Sequence, residues 1–228
     1  KAWQQVAVPH DWAISGPFDK KWDLQMVAIE QNGEKEKTEK SGRSGALPWI
    51  GEGMYKMNLQ LPKGYKRAVL VFDGAMSQPV VKVNGKEAGR WAYGYNAFRI
   101  YITPYVQFGG KKNLVEVHLN NVEESSRWYP GGGLYRPVSV ELYGNENFST
   151  WDTFVRTLKA DKQEAEVEVN ALLEGKIGKS GKTVIALLDE AGTKVAEQTI
   201  SGATPTIKTT LKVANPQLWS PESPYLYQ

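Results

Sequence analysis

The residues that could do chemistry are few. The 228-residue chain holds two histidines, His10 and His118, and no cysteine. His10 is followed by Asp11, and a carboxylate beside an imidazole can fix its tautomer. No Ser or Cys nucleophile is recognisable as a partner, and side chains adjacent in sequence do not usually face each other. No catalytic dyad is assigned there. Glu123 and Glu124 are neighbours, so in a strand they point to opposite faces and cannot share a substrate. The chain has no phosphate-cradling glycine motif, and two distant histidines make no transition-metal site. The reading is therefore no catalytic residue, no metal and no cofactor within this stretch.

What remains is aromatic and polar. There are 8 Trp and 11 Tyr. Trp49, Trp91, Tyr93, Tyr95, Trp128 and Tyr129 all stand in Gly- and Pro-containing segments between strand-like runs. A flat ring facing the C–H face of a pyranose, flanked by Arg or Asn donors to its hydroxyls, is the generic chemistry of sugar recognition. Such rings also cap sandwich ends and pack loops down, and both readings stand at this point. The densest case is "SRWYPGGGLYR", Ser126 to Arg136, where three consecutive glycines follow Trp128 and Tyr129. Glycine lets a backbone take positive φ and pass close to neighbouring structure, while rings on either side anchor it.

The elements that must position these residues read as β almost throughout. "RAVLVF" from Arg67 is a short Val-rich run suited to a strand buried on both faces. "VVKVNGKEAG" from Val80 centres on Asn84-Gly85, which tolerates the positive φ of a type I′ hairpin turn. "MYKMNLQLP" from Met54, "NLVEVHLN" from Asn113 and "YRPVSVELYG" from Tyr135 are further strands, the first stopped by Pro62. In "AEVEVNALL" from Ala165 the apolar residues alternate with Glu166, Glu168 and Asn170, which marks a half-buried strand rather than a helix. "TVIALLDEAGTKVAEQTI" from Thr183 reads as two strands around an Asp-Glu-Ala-Gly turn, and "TIKTTLKV" from Thr206 as one more. The charged segment Asn32 to Gly45 reads as a loop.

Turn signals recur about every eight to twelve residues, the spacing of a β-sandwich. The aromatic-rich part ends near "GNENFST", Gly144 to Thr150. This gives a first domain over 1–147 and a plainer second sandwich over 148–228 that stops at the start of its C-terminal strand. The net charge of +3 is too small for a nucleic-acid or anionic-membrane partner. No apolar run approaches the roughly 20 residues of a membrane helix. No signal peptide is recognised in the chain, and the strand-like start at Lys1 fits one already removed.

Five motifs then occur in one order. They are "VAVPHDWAISGPF" from Val6, "GEGMYK" from Gly51, "LVFDGAMSQPVVKVNGKEAG" from Leu70, "GYNAFRIYITPYVQFGGKKNLVEVHLNN" from Gly94 and "SRWYPGGGLYRPVSVEL" from Ser126. The series resembles the N-terminal half of glycoside hydrolase family 2, its bacterial β-galactosidases in particular. "NPQLWSPESPYLYQ", Asn215 to Gln228, resembles the end of that family's second domain. The resemblance implies an all-β chain: a jelly-roll sugar-binding domain like galactose-binding domains, then an immunoglobulin-like sandwich. It also implies a (β/α)8 barrel beyond this chain that carries an acid/base and a nucleophile Glu for retaining hydrolysis.

By position in that family, Ser126, Arg127 and Trp128 are the expected substrate contacts. Trp49 stands in "RSGALPWIGEG", Arg43 to Gly53, where some members carry a sugar-contacting Asn. No Asn is present there, and Arg127 stands where some members have Asp, which leaves room for a preference other than the lactose type. Asp11 in "PHDW" reads as a cap for the turn that follows it. Arg136 reads as an ion-pair or domain-interface residue. The expected partners are a β-linked glycoside and the C-terminal barrel, with a homo-oligomer left open. The location that goes with the resemblance is bacterial periplasm or extracellular space. A free-standing carbohydrate-binding module and a structural sandwich without a sugar role are the competing readings.

Overall fold

A computed structural model of the chain describes residues 3–19, 27–28, 37–38, 49, 51–121, 131–178, 180–202 and 204–228. The chain is all-β, as the alternating sequence patterns require. It divides into two compact units, Lys1–Leu142 and Tyr143–Gln228.

The first unit is a two-sheet sandwich of jelly-roll type. The short helix α1 (Trp12–Ser15) is followed by the paired two-residue strands β1 (Val27–Ala28) and β2 (Lys37–Thr38). The sandwich strands are β3 (Gly51–Gln60), β4 (Arg67–Phe72), β5 (Val80–Val83), β6 (Lys86–Arg90), β7 (Phe98–Tyr101), β8 (Lys112–Asn121) and β9 (Val138–Tyr143). One sheet runs β3-β8-β5-β6 and the other β7-β4-β9. The β5–β6 hairpin turns on Asn84 (φ 50°) and Gly85 (φ 79°), the two positive values its Asn-Gly pair predicts. Within the loop expected over 32–45, Lys37–Thr38 instead pairs with Val27–Ala28, and the rest of that segment lies outside the described residues.

The core lies between the sheets. Ala68, Leu70 and Phe72 of β4 meet Val81 and Val83 of β5, Phe98 and Ile100 of β7, and Val115, Val117 and Leu119 of β8. Phe72 and Phe98 stack at 4.7 Å with 4° between their planes. β4 is buried on one face, where an apolar run had suggested two: Ala68, Leu70 and Phe72 are fully inside, while Arg67, Val69 and Val71 are half-covered. A two-layer sandwich covers one face of each sheet, and Val on the outer face is retained by strand propensity. At the rim, Asn113 is wholly buried and fully bonded. Its Oδ1 accepts from Gln107 N (2.7 Å) and Asn84 Nδ2 (3.0 Å), and its Nδ2 donates to Gln107 O (2.9 Å). That network ties the hairpin turn to the β7–β8 connection.

The second unit is the immunoglobulin-like sandwich. Its longest strand, β12 (Glu164–Gly175), bonds to β10 (Glu146–Phe148), β11 (Phe154–Ala160) and β15 (Thr206–Ala214). β13 (Lys182–Leu188) and β14 (Lys194–Ser201) form the second sheet. Their turn is built on Asp189, which accepts from Thr193 N at 2.7 Å, with Gly192 at φ 80°. Gln228 and Leu188 exchange two backbone hydrogen bonds, 2.7 and 3.0 Å, so the terminal segment meets the end of β13.

The core of this unit is Ala165, Val169, Ala171, Ile207, Leu211 and Val213. Glu168 keeps its expected outward face, opposite Ala165, Val169 and Ala171, yet it is buried there at 6% exposure. Side chains from both neighbouring strands cover it. Arg156 Nε lies at 2.9 Å and Lys208 Nζ at 3.4 Å, and Asn170 Nδ2 donates at 2.9 Å. The Asn170 amide, with Arg156 and Lys208, holds the Glu168 carboxyl below the usual range.

Removing the Phe72 ring leaves a cavity and unstacks Phe98. Phe72→Ala is expected to lower unfolding free energy by about 3–5 kcal/mol, measured by urea denaturation. A loss under about 1 kcal/mol would mean that this stack is not the centre of the core.

Candidate functional site: a glycine strap fastened by Asp11

The glycine-rich stretch of the first unit is where the structure concentrates its specific contacts. Residues 131–134 form a strap. Its Gly133 exchanges two backbone bonds with Met76, both 2.9 Å. On its other side, Trp12 N donates to Gly132 O (2.9 Å) and His10 N to Leu134 O (2.7 Å). The "PHDW" segment and the glycine strap, far apart in sequence, are therefore adjacent extended chains.

Asp11 fastens them. It is the N-cap of α1, with φ −120° and ψ 111°, and its Oδ1 accepts from Ala13 N at 2.8 Å. The same oxygen accepts from Gly132 N at 2.9 Å. The capping role expected of Asp11 is present, and the second bond, across 121 positions, adds a tertiary role. An ionised acceptor makes both bonds stronger than neutral ones.

Close approach explains all three glycines. A Cβ at Gly131 would strike the Asp11 carboxylate, one at Gly132 the Trp12 indole, and one at Gly133 the Tyr55 hydroxyl and His10 carbonyl. Gly133 also sits at φ 125°. The bare backbone of Gly131–Gly133 can lie flat against the rings, and its bonds to Met76, Trp12 and Asp11 hold it there.

Rings form the floor. Gly51, Gly53 and Tyr55 occupy one face of β3, because alternate residues share a face. The two glycines leave room for indoles: a Cβ at Gly51 would lie 2.8 Å from Trp49, and one at Gly53 2.5 Å from Trp12. Trp12 contacts Trp49 at 6.0 Å and stacks near Tyr55 at 6.2 Å. Trp49 N also donates to Pro17 O at 3.0 Å. Trp49 is thus a half-buried member of this ring cluster.

Tyr55 completes the knot. Its hydroxyl lies 2.7 Å from His10 Nδ1 and 3.4 Å from Leu134 N, which donates to it. Burial pushes the Tyr55 phenol up to about 12, with the Asp11 charge adding to the rise and the Leu134 N–H opposing it. The hydroxyl is therefore a neutral hydrogen-bonding group at ordinary pH. Sequence reasoning missed Tyr55, although its signal was present in the Gly-x-Gly-x-Tyr alternation.

The strap is also the C-terminal flank of residues 122–130. The preceding flank, Asn121, ends β8 and is almost wholly buried. Its Nδ2 donates to Gly131 O at 3.2 Å, which joins the two flanks. Glu123, Glu124, Ser126, Arg127, Trp128 and Tyr129 lie outside the described residues. Arg136 is exposed: its Nη1 reaches Asp73 O at 3.4 Å and its guanidinium covers the Tyr135 ring at 5.4 Å. Its described contacts are thus a carbonyl and a ring rather than the expected ion pair.

Chemically, this cluster holds position. The Asp11 oxygen is committed to two N–H groups, and Tyr55 and His10 are bonded to each other. Among the described residues, no group of three or more His, Cys, Asp or Glu could hold a metal ion. A cleft of about 730 Å³ opens beside the cluster, lined by Trp3, Trp49, Met54, Phe72 and Val140 among others. Its depth is apolar, and His10, Glu52 and Tyr55 are polar groups on its walls.

Fold and site together define an all-β chain of two sandwiches, the first of which carries a glycine strap fastened by Asp11. The chain belongs to glycosyl hydrolase family 2: residues 148–228 match the model described as "Glycosyl hydrolases family 2", and similar proteins cover the whole chain. The beta-galactosidase BoGH2A of Bacteroides ovatus is 32% identical over 235 residues, which make up 99% of this chain and 26% of that protein. A beta-glucuronidase of Bacteroides fragilis is 30% identical over 200 residues, covering 78% of this chain and 28% of its own length. The crystal structure of a family 2 member from Bacteroides cellulosilyticus is similar with a TM-score of 0.75 and 31% identity, covering 99% of this chain and 29% of that one. The chain spans a fifth to about a quarter of the length of the curated relatives it matches.

Two measurements test the cluster. Asp11→Ala should cost about 1–3 kcal/mol of stability in urea, because a cap and a tertiary acceptor are lost together. Asp11→Asn, which keeps an acceptor oxygen, should retain most of it; equal losses would show that charge rather than the acceptor matters. The Tyr55 phenol is raised from 10.0 to about 12 in the folded state. Its contribution to stability is therefore full below pH 10 and is lost as pH rises from 10 to 12. Tyr55→Phe should flatten the decline of stability across that window. A decline as steep as the parent's would remove Tyr55 as its source.

Proposed function

We propose that this chain is the non-catalytic N-terminal part of a retaining exo-β-glycosidase, with β-galactosides as the first candidate substrates. The observation that carries the reading is the fastening of both flanks of residues 122–130, through Asn121 to Gly131 and through Asp11 to Gly132. On this reading Ser126, Arg127 and Trp128 form one wall of the substrate pocket, and Trp49 supports them from the ring cluster. The acid/base and nucleophile carboxylates belong to a barrel outside this chain. Family membership and the greater length of the relatives support that assignment.

A β-glucuronide substrate is the second reading. Relatives named beta-glucuronidase match at identity similar to that of BoGH2A, 30% against 32%. Arg127 favours it chemically, since a guanidinium pairs with a uronate carboxylate.

The test uses the full-length parent enzyme on nitrophenyl β-D-galactoside and β-D-glucuronide. Hydrolysis of either supports the assignment and chooses between the substrates; hydrolysis of no β-glycoside sinks it. Arg127→Ala should raise KM about 10- to 100-fold, the range for losing one charged hydrogen bond. An unchanged KM would take Arg127 out of the pocket.

A further inference from the structure

The connection between β6 and β7 carries a second set of rings, and they are held differently from those around Asp11. Trp91 stacks on Phe98 at 5.6 Å with 6° between the planes, and Phe98 stacks on Phe72 at 4.7 Å. Three parallel rings thus run from the middle of the core to the surface, where Trp91 is 39% exposed. Its orientation is fixed twice more: its backbone N donates to Pro79 O at 3.0 Å, and its Nε1 donates to Asn96 Oδ1 at 2.9 Å.

The rest of the loop is pinned from below. Tyr135 Oη donates to Gly94 O at 2.8 Å, and a Cβ on Gly94 would lie 2.5 Å from the Met76 sulfur. Gly94 therefore points inward, and Tyr93 and Tyr95 on either side of it stand out at 59% and 37% exposure. Their rings meet at 5.6 Å and 56°. Beside them, the exposed Arg136 guanidinium lies over the Tyr135 ring.

We propose that the Trp91–Asn96 loop, with Tyr135 and Arg136, is a binding surface for an extended, β-1,4-linked pyranose chain. The chemistry of that ligand matches the surface feature by feature. A β-linked chain of equatorial linkages is a flat ribbon with C–H groups on its faces and hydroxyls on its edges. The Trp91 ring offers a rigid flat face for the first. The Asn96 amide, the tyrosine hydroxyls and the Arg136 donors offer partners for the second. Rings already fixed by the core lose little side-chain freedom on binding. The proposal takes only its ligand class from the carbohydrate role above.

The experiment is titration of the 228-residue chain with cellohexaose, followed by tryptophan fluorescence and calorimetry. Saturable binding is expected, with maltohexaose, which is α-linked and curled, at least about tenfold weaker. Trp91→Ala should weaken cellohexaose binding at least about tenfold. Because Trp91 also packs on Phe98, Tyr93→Ala is the second variant. Its ring lies mostly in solvent, and the variant should weaken binding several-fold with an unchanged circular dichroism spectrum. Absence of saturable binding, equal affinity for the two hexaoses, or unaltered binding by folded Tyr93→Ala overturns the proposal. So does self-association of the chain that Tyr93→Ala abolishes, which would make the patch a protein contact. Failure here leaves the hydrolysis assay of the full-length enzyme unaffected, and inactivity there leaves this titration to be read on its own.

Discussion

One carboxylate oxygen organises the end of the first sandwich where the glycine strap lies. Asp11 Oδ1 accepts from Ala13 N and from Gly132 N, so it caps a helix and joins two distant chain segments at once. Everything around it follows from the short distance between those segments. Trp12 must lie against a bare backbone, which excludes a side chain at Gly132. Tyr55 must reach under Gly133 to His10, which excludes one there. The three glycines that look like a recipe for looseness are instead the condition for tight packing. Their conformational cost is offset by backbone bonds to both neighbours, His10–Trp12 on one side and Met76 on the other.

The same economy governs β3. Two glycines on one strand face would ordinarily weaken a strand. Here the space they leave is filled by the Trp12 and Trp49 rings. Aromatic side chains bring large buried area with few rotors, so a cluster of them fixes loop positions that polar contacts alone would leave loose. The Phe72–Phe98–Trp91 ladder extends this principle outward: rigidity in the core is passed to a ring at the surface.

The described residues contain positioning groups: caps, straps, ring stacks and a buried amide hub at Asn113. The second unit uses one further device. Glu168 is covered on the outer face of its sheet by Arg156, Lys208 and Asn170, so the carboxylate has partners on its own and both flanking strands. Removing one partner of a covered carboxylate leaves its charge uncompensated, and that is the destabilising change.

Much of the architecture was legible in the amino-acid order. Alternation marked β8, β12 and β15, Asn84-Gly85 marked its hairpin, and Asp189 to Thr193 marked another, because these signals act within a few residues. Motif order pointed to family 2 for the same reason: each motif is a local unit. What only the tertiary structure decided depends on pairs remote in the chain. Asp11 as a partner of Gly132, Tyr55 as a partner of His10, Trp49 packed on Trp12, one-sided burial of β4, and the side chains that cover Glu168 all require knowing which strand lies beside which. Periodicity says that a face exists. It does not say what covers it. The sequence by itself determined most of the longer strands, their turns and the presence of three glycines at 131–133; tertiary packing decided what those glycines touch and why no side chain fits there, because a close approach is a property of two segments and each alone carries only half of it.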